Sequence, residues 1–317
     1  MKIDYIKRIN NDGPVYNLKV SGCHNYYANN ILVSNCHLAK ARSIQKISYL
    51  CKNADYRLGF TGTLPEEKAD LLNIQSGLGP QICNVKSEDL IDQGILSKIK
   101  VANLILKYPK ELVDRGKKFD YLGEIDLILE NQRRNGIFKW IFSNVKSGEN
   151  TLILCALIDK HLRVIEKYLR ENLDEKYQIH IIYGGTAVTE REKIKKILEA
   201  NENVIVLASY GTCSTGLNLK KLHNVIFASS YKSKIKVLQS IGRGLRLHLE
   251  KSKLIVWDIV DDLTYFRKIS RGPRKGQIEK VKNHVFKHFE ERLQYYNDQG
   301  FPFVSKEFAL SELSKGV

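Results

Sequence analysis

The segment Gln239-Ser240-Ile241-Gly242-Arg243-Gly244-Leu245-Arg246 carries the most specific chemistry in the chain. On a helix, offsets of three, four and seven are surface neighbours, so Gln239, Arg243 and Arg246 share one face. Two guanidinium forks and an amide then point the same way. A guanidinium is permanently charged and pairs with phosphate oxygens two at a time, which suits the charge that builds on a transferring γ-phosphate. A bare R-x-x-R is more simply a solvated basic helix face. Gln and Gly at these spacings, after one strand and before another, favour the phosphate reading.

This segment resembles the Q-x-x-G-R-x-x-R motif of superfamily 2 helicases. The resemblance implies that Arg243 and Arg246 act as fingers on ATP held by an opposite domain, with Gln239 beside them. Three further matches follow the order of that family. Thr61-Gly62-Thr63 looks like the motif that couples ATP state to strand binding, which gives Thr61 and Thr63 a coupling role. The run from Ala208 to Asn218 looks like the motif preceding the arginine helix. Its hydroxyls, Ser209 and Thr212 among them, contact phosphates without reading bases, while Gly216, with Asn218 on the nucleotide side, allows close backbone approach.

The fourth match is Cys36-His37, which a preceding Asp-Glu would complete as D-E-C-H, a variant of the DEAH-type magnesium and water-activating motif; Ser34 and Asn35 stand there instead. The resemblance runs from Cys36 to about Asp262 and is nearest to the UvsW-type recombination helicases of tailed phages, including the runs V-L-Q-S-I-G-R and V-W-D-I-V-D-D. It implies ATP and Mg2+ as cofactors and DNA, single-stranded or branched, as partner. No G-x-x-x-x-G-K-[ST] occurs in the chain, so no phosphate-cradling loop with its lysine is encoded. ATP and Mg2+ are therefore expected to bind mainly on a separate N-terminal half, and the chain alone is expected not to be a complete ATPase.

The first residues resemble a second family. Val15 to Val20, then His24-Asn25-Tyr26-Tyr27-Ala28-Asn29-Asn30-Ile31-Leu32-Val33-Ser34-Asn35 followed by Cys36, is similar to the last two sequence blocks of inteins. In that chemistry Cys36 supplies a thiolate that accepts an acyl group from a thioester. Asn35 attacks its own carbonyl through its side-chain amide, forming a succinimide and cutting the 35–36 bond. Proton transfer and oxyanion stabilisation suit an imidazole such as His24. Two positions depart from the pattern: Ser34 stands where most inteins have His, and Asn17 where Asp is usual. Residues 1–35 are thus expected to be the C-terminal fragment of a split intein, whose partner is a precursor chain carrying the N-terminal intein fragment and the first helicase half.

The elements that must position these residues are legible in outline. Residues 15–35 read as short strands, with Asn29-Asn30 a tight hairpin turn. After Cys36, β-branched runs alternate with amphipathic helical stretches, the pattern of a parallel sheet covered by helices. Strands are predicted at Tyr56 to Phe60, Thr151 to Ala156, Gln178 to Tyr183, Val204 to Ala208, Asn224 to Ala228 and Leu254 to Asp258. A helix after Tyr183 opens with Thr189-Glu190-Arg191-Glu192, read as a capping box, and buries Ile194, Ile197 and Leu198. In the tail, Ile278, Val281, Val285, Phe289, Leu293 and Tyr296 recur at helical spacing, read as a terminal amphipathic helix packed on the domain rather than a nucleic-acid wedge.

Composition is consistent with these readings. The 317 residues are 43% hydrophobic, enough to bury a substantial core, and their net charge of +16 fits a polyanionic partner such as a phosphate backbone. The six cysteines form no C-x-x-C pair, so neither a zinc site nor a disulfide framework is expected, and no metal ligand set is assigned to the chain itself. With no apolar run able to span a bilayer and no signal peptide, a cytoplasmic location is expected, the host cytoplasm if the chain is viral.

The fold class expected is α/β: a RecA-like parallel-sheet domain with part of a second RecA-like domain, preceded by a small all-β intein (Hint) fragment. The expected organisation is an intein fragment at 1–35, the end of RecA-like domain 1 at 36–92, a linker at 93–119, RecA-like domain 2 at 120–265 and a basic, aromatic helical extension at 266–317. The function expected is that of a helicase precursor matured by trans-splicing. The alternative is a basic nucleic-acid-binding or annealing module with a degenerate intein remnant.

Overall fold

In this computed structural model the described residues are 25–28, 31–35, 45–46, 49, 56–61, 64–65, 67–214, 221–229 and 253–313. They fall into two compact units, divided between Asn84 and Val85.

The first unit holds a three-stranded sheet. Strands β1 (Asn25–Ala28) and β2 (Ile31–Asn35) are antiparallel with Ala28 opposite Ile31, the register of the expected two-residue hairpin. Strand β3 (Tyr56–Phe60) lies parallel to β2, with Ile31 opposite Tyr56 and Asn35 opposite Phe60. One sheet therefore joins residues on both sides of the 35–36 bond, where the sequence suggests a boundary between an all-β fragment and the helicase part. Helix α1 (Lys68–Leu78) follows. The predicted strand at 15–20 lies outside the described residues.

The second unit runs, in chain order, α2 (Ser87–Asp92), β4 (Lys98–Lys107), α3 (Lys110–Gly116), α4 (Tyr121–Glu130), α5 (Gly136–Asn144), β5 (Thr151–Cys155), α6 (Arg163–Asn172), β6 (Gln178–Ile182), α7 (Val188–Ala200), β7 (Val204–Ser209), α8 (Tyr210–Ser214), β8 (Asn224–Phe227), β9 (Lys253–Asp262), β10 (Tyr265–Lys268), β11 (Ile278–Val281), α9 (His284–Asp298) and β12 (Phe303–Ala309). Seven strands form one sheet in the order β12-β4-β9-β8-β5-β7-β6, every neighbouring pair parallel. Helices cover both faces, which is why β5 and β8 are buried at every residue and read as unbroken apolar runs. All six predicted strands are present, and β9 continues four residues beyond its expected end. Among the described residues no helix is long and apolar enough to cross a membrane.

Three expectations need correction. Residues 93–119, read as a linker, contain β4, which lies between β12 and β9 in the sheet. Ile99, Val101, Leu104, Ile105 and Leu106 are buried, a run that requires cover on both faces. The tail does not begin as a helix: Ile278 and Val281 lie in β11, and the helical stripe is confined to Val285, Phe289, Leu293 and Tyr296 on α9, after which β12 returns to the sheet. The capping box at Thr189 does not form, because the helix starts two residues earlier, with Ala187 rather than Thr189 at its N-cap. That turn is held instead by Thr186, whose Oγ1 accepts from the Tyr183 amide at 3.0 Å, and by Arg191, which donates to the carbonyls of Tyr183, Gly184 and Thr186. Ile194 and Leu198 are buried as expected.

Strand β9 carries a carboxylate into each face of the sheet. Asp258 accepts from Arg292 Nε and Nη2, both at 2.8 Å, and from the Tyr296 hydroxyl at 2.8 Å, locking α9 onto one face. Asp261, three residues on and therefore on the opposite face, accepts from Arg134 Nε at 2.7 Å and Nη2 at 2.9 Å and from the Tyr108 hydroxyl at 2.9 Å. All four charged groups are essentially buried. Removing one member leaves an uncompensated buried charge, so Arg292→Met should cost about 3–5 kcal/mol in urea unfolding. Adding Asp258→Leu should recover much of that loss; an Arg292→Met change below about 1 kcal/mol would show that the pair does not anchor the helix.

Candidate functional site

In an all-parallel sheet the carboxyl ends of the strands share one edge, where loops are free to bind ligands. The residues assigned to nucleic acid that the second unit describes lie there. Ser209 closes β7 and Thr212 sits in α8 directly after it; their hydroxyls are 2.8 Å apart, and the Thr212 amide donates to Ser209 Oγ at 3.4 Å. Tyr210 is buried beneath them, its hydroxyl donating to the Ser229 carbonyl at 2.9 Å. Ser229 Oγ accepts from the Ala156 amide at 3.0 Å, and Arg134 Nη2 donates to the Ala228 carbonyl at 2.7 Å. The segments that follow β5, β7 and β8 are thus tied into one rigid edge.

Burial sets the ionisation of this edge. Burial opposes the charge on Arg134, but Asp261 beside it outweighs that effect and holds the guanidinium pKa above its ordinary value. Burial, with the charge of Asp261, pushes the Tyr108 hydroxyl well above the usual range. The Cys155 thiol is raised by burial, so it packs as an uncharged group. His161, on the π-helical turn Ile158–Leu162 after β5, has no hydrogen-bond partner for either ring nitrogen among the described residues; burial and the neighbouring Arg134 charge push it down to about 3. Composition and motif order did not single out Arg134, Tyr108, His161 or Ser229. The signal available was the run Val256 to Asp262, whose acids sit among apolar residues and demand buried partners.

Of the other assigned residues, Thr61 directly follows β3, and Ser34 and Asn35 are the last residues of β2. His24, Cys36, Thr63, Gly216, Asn218, Gln239, Arg243 and Arg246 lie outside the described residues. Among the described residues no cluster of three or more His, Cys, Asp or Glu could hold a metal ion.

Comparison with known proteins places this edge in context. Residues 133–248 match the helicase conserved C-terminal domain, and the ATP-dependent DNA helicase uvsW of Enterobacteria phage T4 is 32% identical over 276 residues. Over most of its length the chain is similar to that helicase. The T4 alignment covers 86% of this chain and 53% of the phage protein, so the chain spans about half the length of that relative. The crystal structure of T4 UvsW has a TM-score of 0.54 at 28% identity, covering 88% of this chain and 53% of that one. S. cerevisiae Dbp5 bound to RNA and ADP BeF3 shares the fold at 11% identity, with a TM-score of 0.51 and coverage of 87% and 59%. The matched segment begins next to Arg134 and includes β5 to β8 with the tied edge.

The buried histidine gives this domain a defined pH response. Unfolded, His161 takes up a proton below about pH 6.5, whereas the folded domain resists protonation until about pH 3. The unfolded state binds more protons in that window, so stability is level above pH 6.5 and falls by about 1.4 kcal/mol per unit as pH drops through it. Urea unfolding at pH 7.5 and pH 5 should differ by about 2 kcal/mol more in the parent than in His161→Leu. Equal pH dependence in the two proteins would remove His161 as the cause.

Proposed function

We propose that this chain supplies the second motor domain of an ATP-dependent superfamily 2 DNA helicase that acts on single-stranded or branched DNA in recombination and replication. The observation that carries the reading is the 276-residue relationship to a protein named as an ATP-dependent DNA helicase. The placement of Ser209 and Thr212 on the rigid edge of the sheet supports it. In this reading Ser209 and Thr212 meet the phosphates of the strand, Thr61 and Thr63 couple strand binding to nucleotide state, and Gln239, Gly216 and Asn218 line the nucleotide side. ATP and Mg2+ supply the phosphoryl-transfer chemistry and are held mainly by the first motor domain. Arg243 and Arg246 would stabilise charge on the γ-phosphate of ATP held by that other domain.

The finer part of the proposal concerns the 35–36 bond. We infer that residues 1–35 are the C-terminal segment of an intein, whose N-terminal segment lies on a separate precursor chain together with the first helicase half. The Cys36 thiolate takes the acyl group of that half from a thioester on the N-terminal intein segment, whose thiol departs as the leaving group. Asn35 then cyclises to a succinimide with His24 and Ser34 assisting proton transfer, which cuts the 35–36 bond; the freed Cys36 amine takes the acyl group as a peptide and releases the Cys36 thiol. Sequence supports this assignment: the ordered blocks from Val15 to Cys36 and the Ser34-Asn35 pair standing where an Asp-Glu pair would complete the helicase motif.

A second reading has an observation of its own. Strand β2 pairs in parallel with β3 across the proposed splice point, as a resident strand of an α/β domain would. On that reading the chain is a nucleic-acid-binding or annealing module with an intein remnant. Mass spectrometry after mixing with the N-terminal precursor separates the two. Splicing should give a ligated product lacking residues 1–35, lost in Asn35→Ala and Cys36→Ala; absence of both product and cleavage after Asn35 favours the module. In the ligated protein, Arg243→Ala should lower ATP turnover about a thousandfold while DNA affinity changes little. Unchanged turnover would refute the arginine-finger role.

A further inference from the structure

The β10–β11 hairpin has no role in the motor reading, yet it is built as a rigid projection. It leaves the sheet at the carboxyl end of β9, the same edge that carries Ser209 and Thr212, and returns at the start of α9. Its two legs are clamped by Asn283, which accepts from the Leu263 amide at 3.1 Å and donates to the Asp261 carbonyl at 3.2 Å. The buried Glu124 carboxylate holds the returning leg, accepting from the Asn283 side chain at 2.6 Å and from the amides of His284 and Val285 at 2.9 and 2.8 Å. At the far end the turn closes through bonds between Ile269 and Gln277 and between Gly276 and Ile269, each 2.9 Å. Gly272 and Gly276, at φ +84° and +90°, supply the left-handed positions.

The hairpin's two faces differ. Tyr265 and the Arg267–Glu279 ion pair, 2.9 Å, share one face, and Lys117 lies over the Tyr265 ring at 4.8 Å, turning that face toward the domain. The register puts Phe266 opposite Lys280 and Lys268 opposite Ile278, so these four residues share the other face. Phe266 is 68% exposed and Ile278 74%. Residues 265–282 contain seven lysines and arginines against the single acid Glu279. Apolar side chains left in water between lysines, on a clamped ribbon, match unpaired bases that stack while their phosphates pair with ammonium groups.

We propose that the Phe266, Lys268, Ile278 and Lys280 face of this hairpin is a stacking pin for single-stranded DNA emerging at the carboxyl edge of the sheet. The inference rests on the DNA-motor reading and adds to it a site that holds bases unstacked. An intact duplex offers no open base face, so the pin discriminates in favour of the unpaired strand.

The test measures binding of a 2-aminopurine oligonucleotide, single-stranded or in a duplex, to the whole chain. Phe266→Ala with Ile278→Ala should weaken the single-strand complex about tenfold or more and abolish the 2-aminopurine signal, with duplex affinity and thermal midpoint unchanged. Lys268→Gln with Lys280→Gln should lower the slope of log affinity against log salt by about 1.4. Parent-like single-strand affinity and signal in the Phe266/Ile278 variant, or an equal loss on duplex, would overturn the pin while leaving the motor reading standing. Failure of the parent chain to bind DNA at low salt would overturn both.

Discussion

Two carboxylates cannot sit bare in the middle of a covered sheet, and β9 contains Asp258 and Asp261 on opposite faces. Desolvating an unpaired carboxylate costs several kcal/mol, so each must recruit a cation and a further donor. Asp258 draws Arg292 and Tyr296 from α9, and Asp261 draws Arg134 and Tyr108 from segments far apart in the chain. Both layers of cover are thereby fixed to one central strand. The bidentate geometry restricts orientation more than an apolar contact would, because each guanidinium fork fits its carboxylate in one plane.

The consequence reaches the ligand edge. Arg134 is held by Asp261 and at the same time donates to the Ala228 carbonyl, while Ser229, next along, secures Ala156 and Tyr210. The segments following β5, β7 and β8 inherit the rigidity of the core, and Ser209 and Thr212 rest on it. The same strand also roots the β10–β11 hairpin, since the Asp261 carbonyl accepts from Asn283 and Asn283 accepts from Leu263. In the motor role proposed above, small displacements must pass between bound groups, and a framework without slack at this edge is the physical requirement for that coupling.

The first unit poses a different question of sheet chemistry. A strand edge with unpaired amides and carbonyls seeks a partner, and β3 has one in β2. Whether Ile31–Asn35 is an intein's last strand or a resident strand, the 35–36 bond falls at the end of a hydrogen-bonded ladder. Asn35 and Cys36 are the residue types that cleavage and ligation at this point would need, whereas Ser34 stands where most inteins have His.

Strand periodicity and motif spacing are local properties of the chain, so the parallel α/β class, the positions of six strands, the β1–β2 hairpin register and the order of the helicase-like motifs were legible in it. That 98–107 is a strand of the main sheet and that β12 joins its edge follows from pairings between residues distant in sequence, which no local pattern reveals. The tail stripe misled for a related reason: apolar spacing over six positions does not reveal that Gly272 and Gly276 reverse the chain before the helix begins. The buried Arg–Asp–Tyr clusters were likewise beyond local reading. A charged side chain in a strand announces that it needs a partner, but the fold alone selects which arginine arrives.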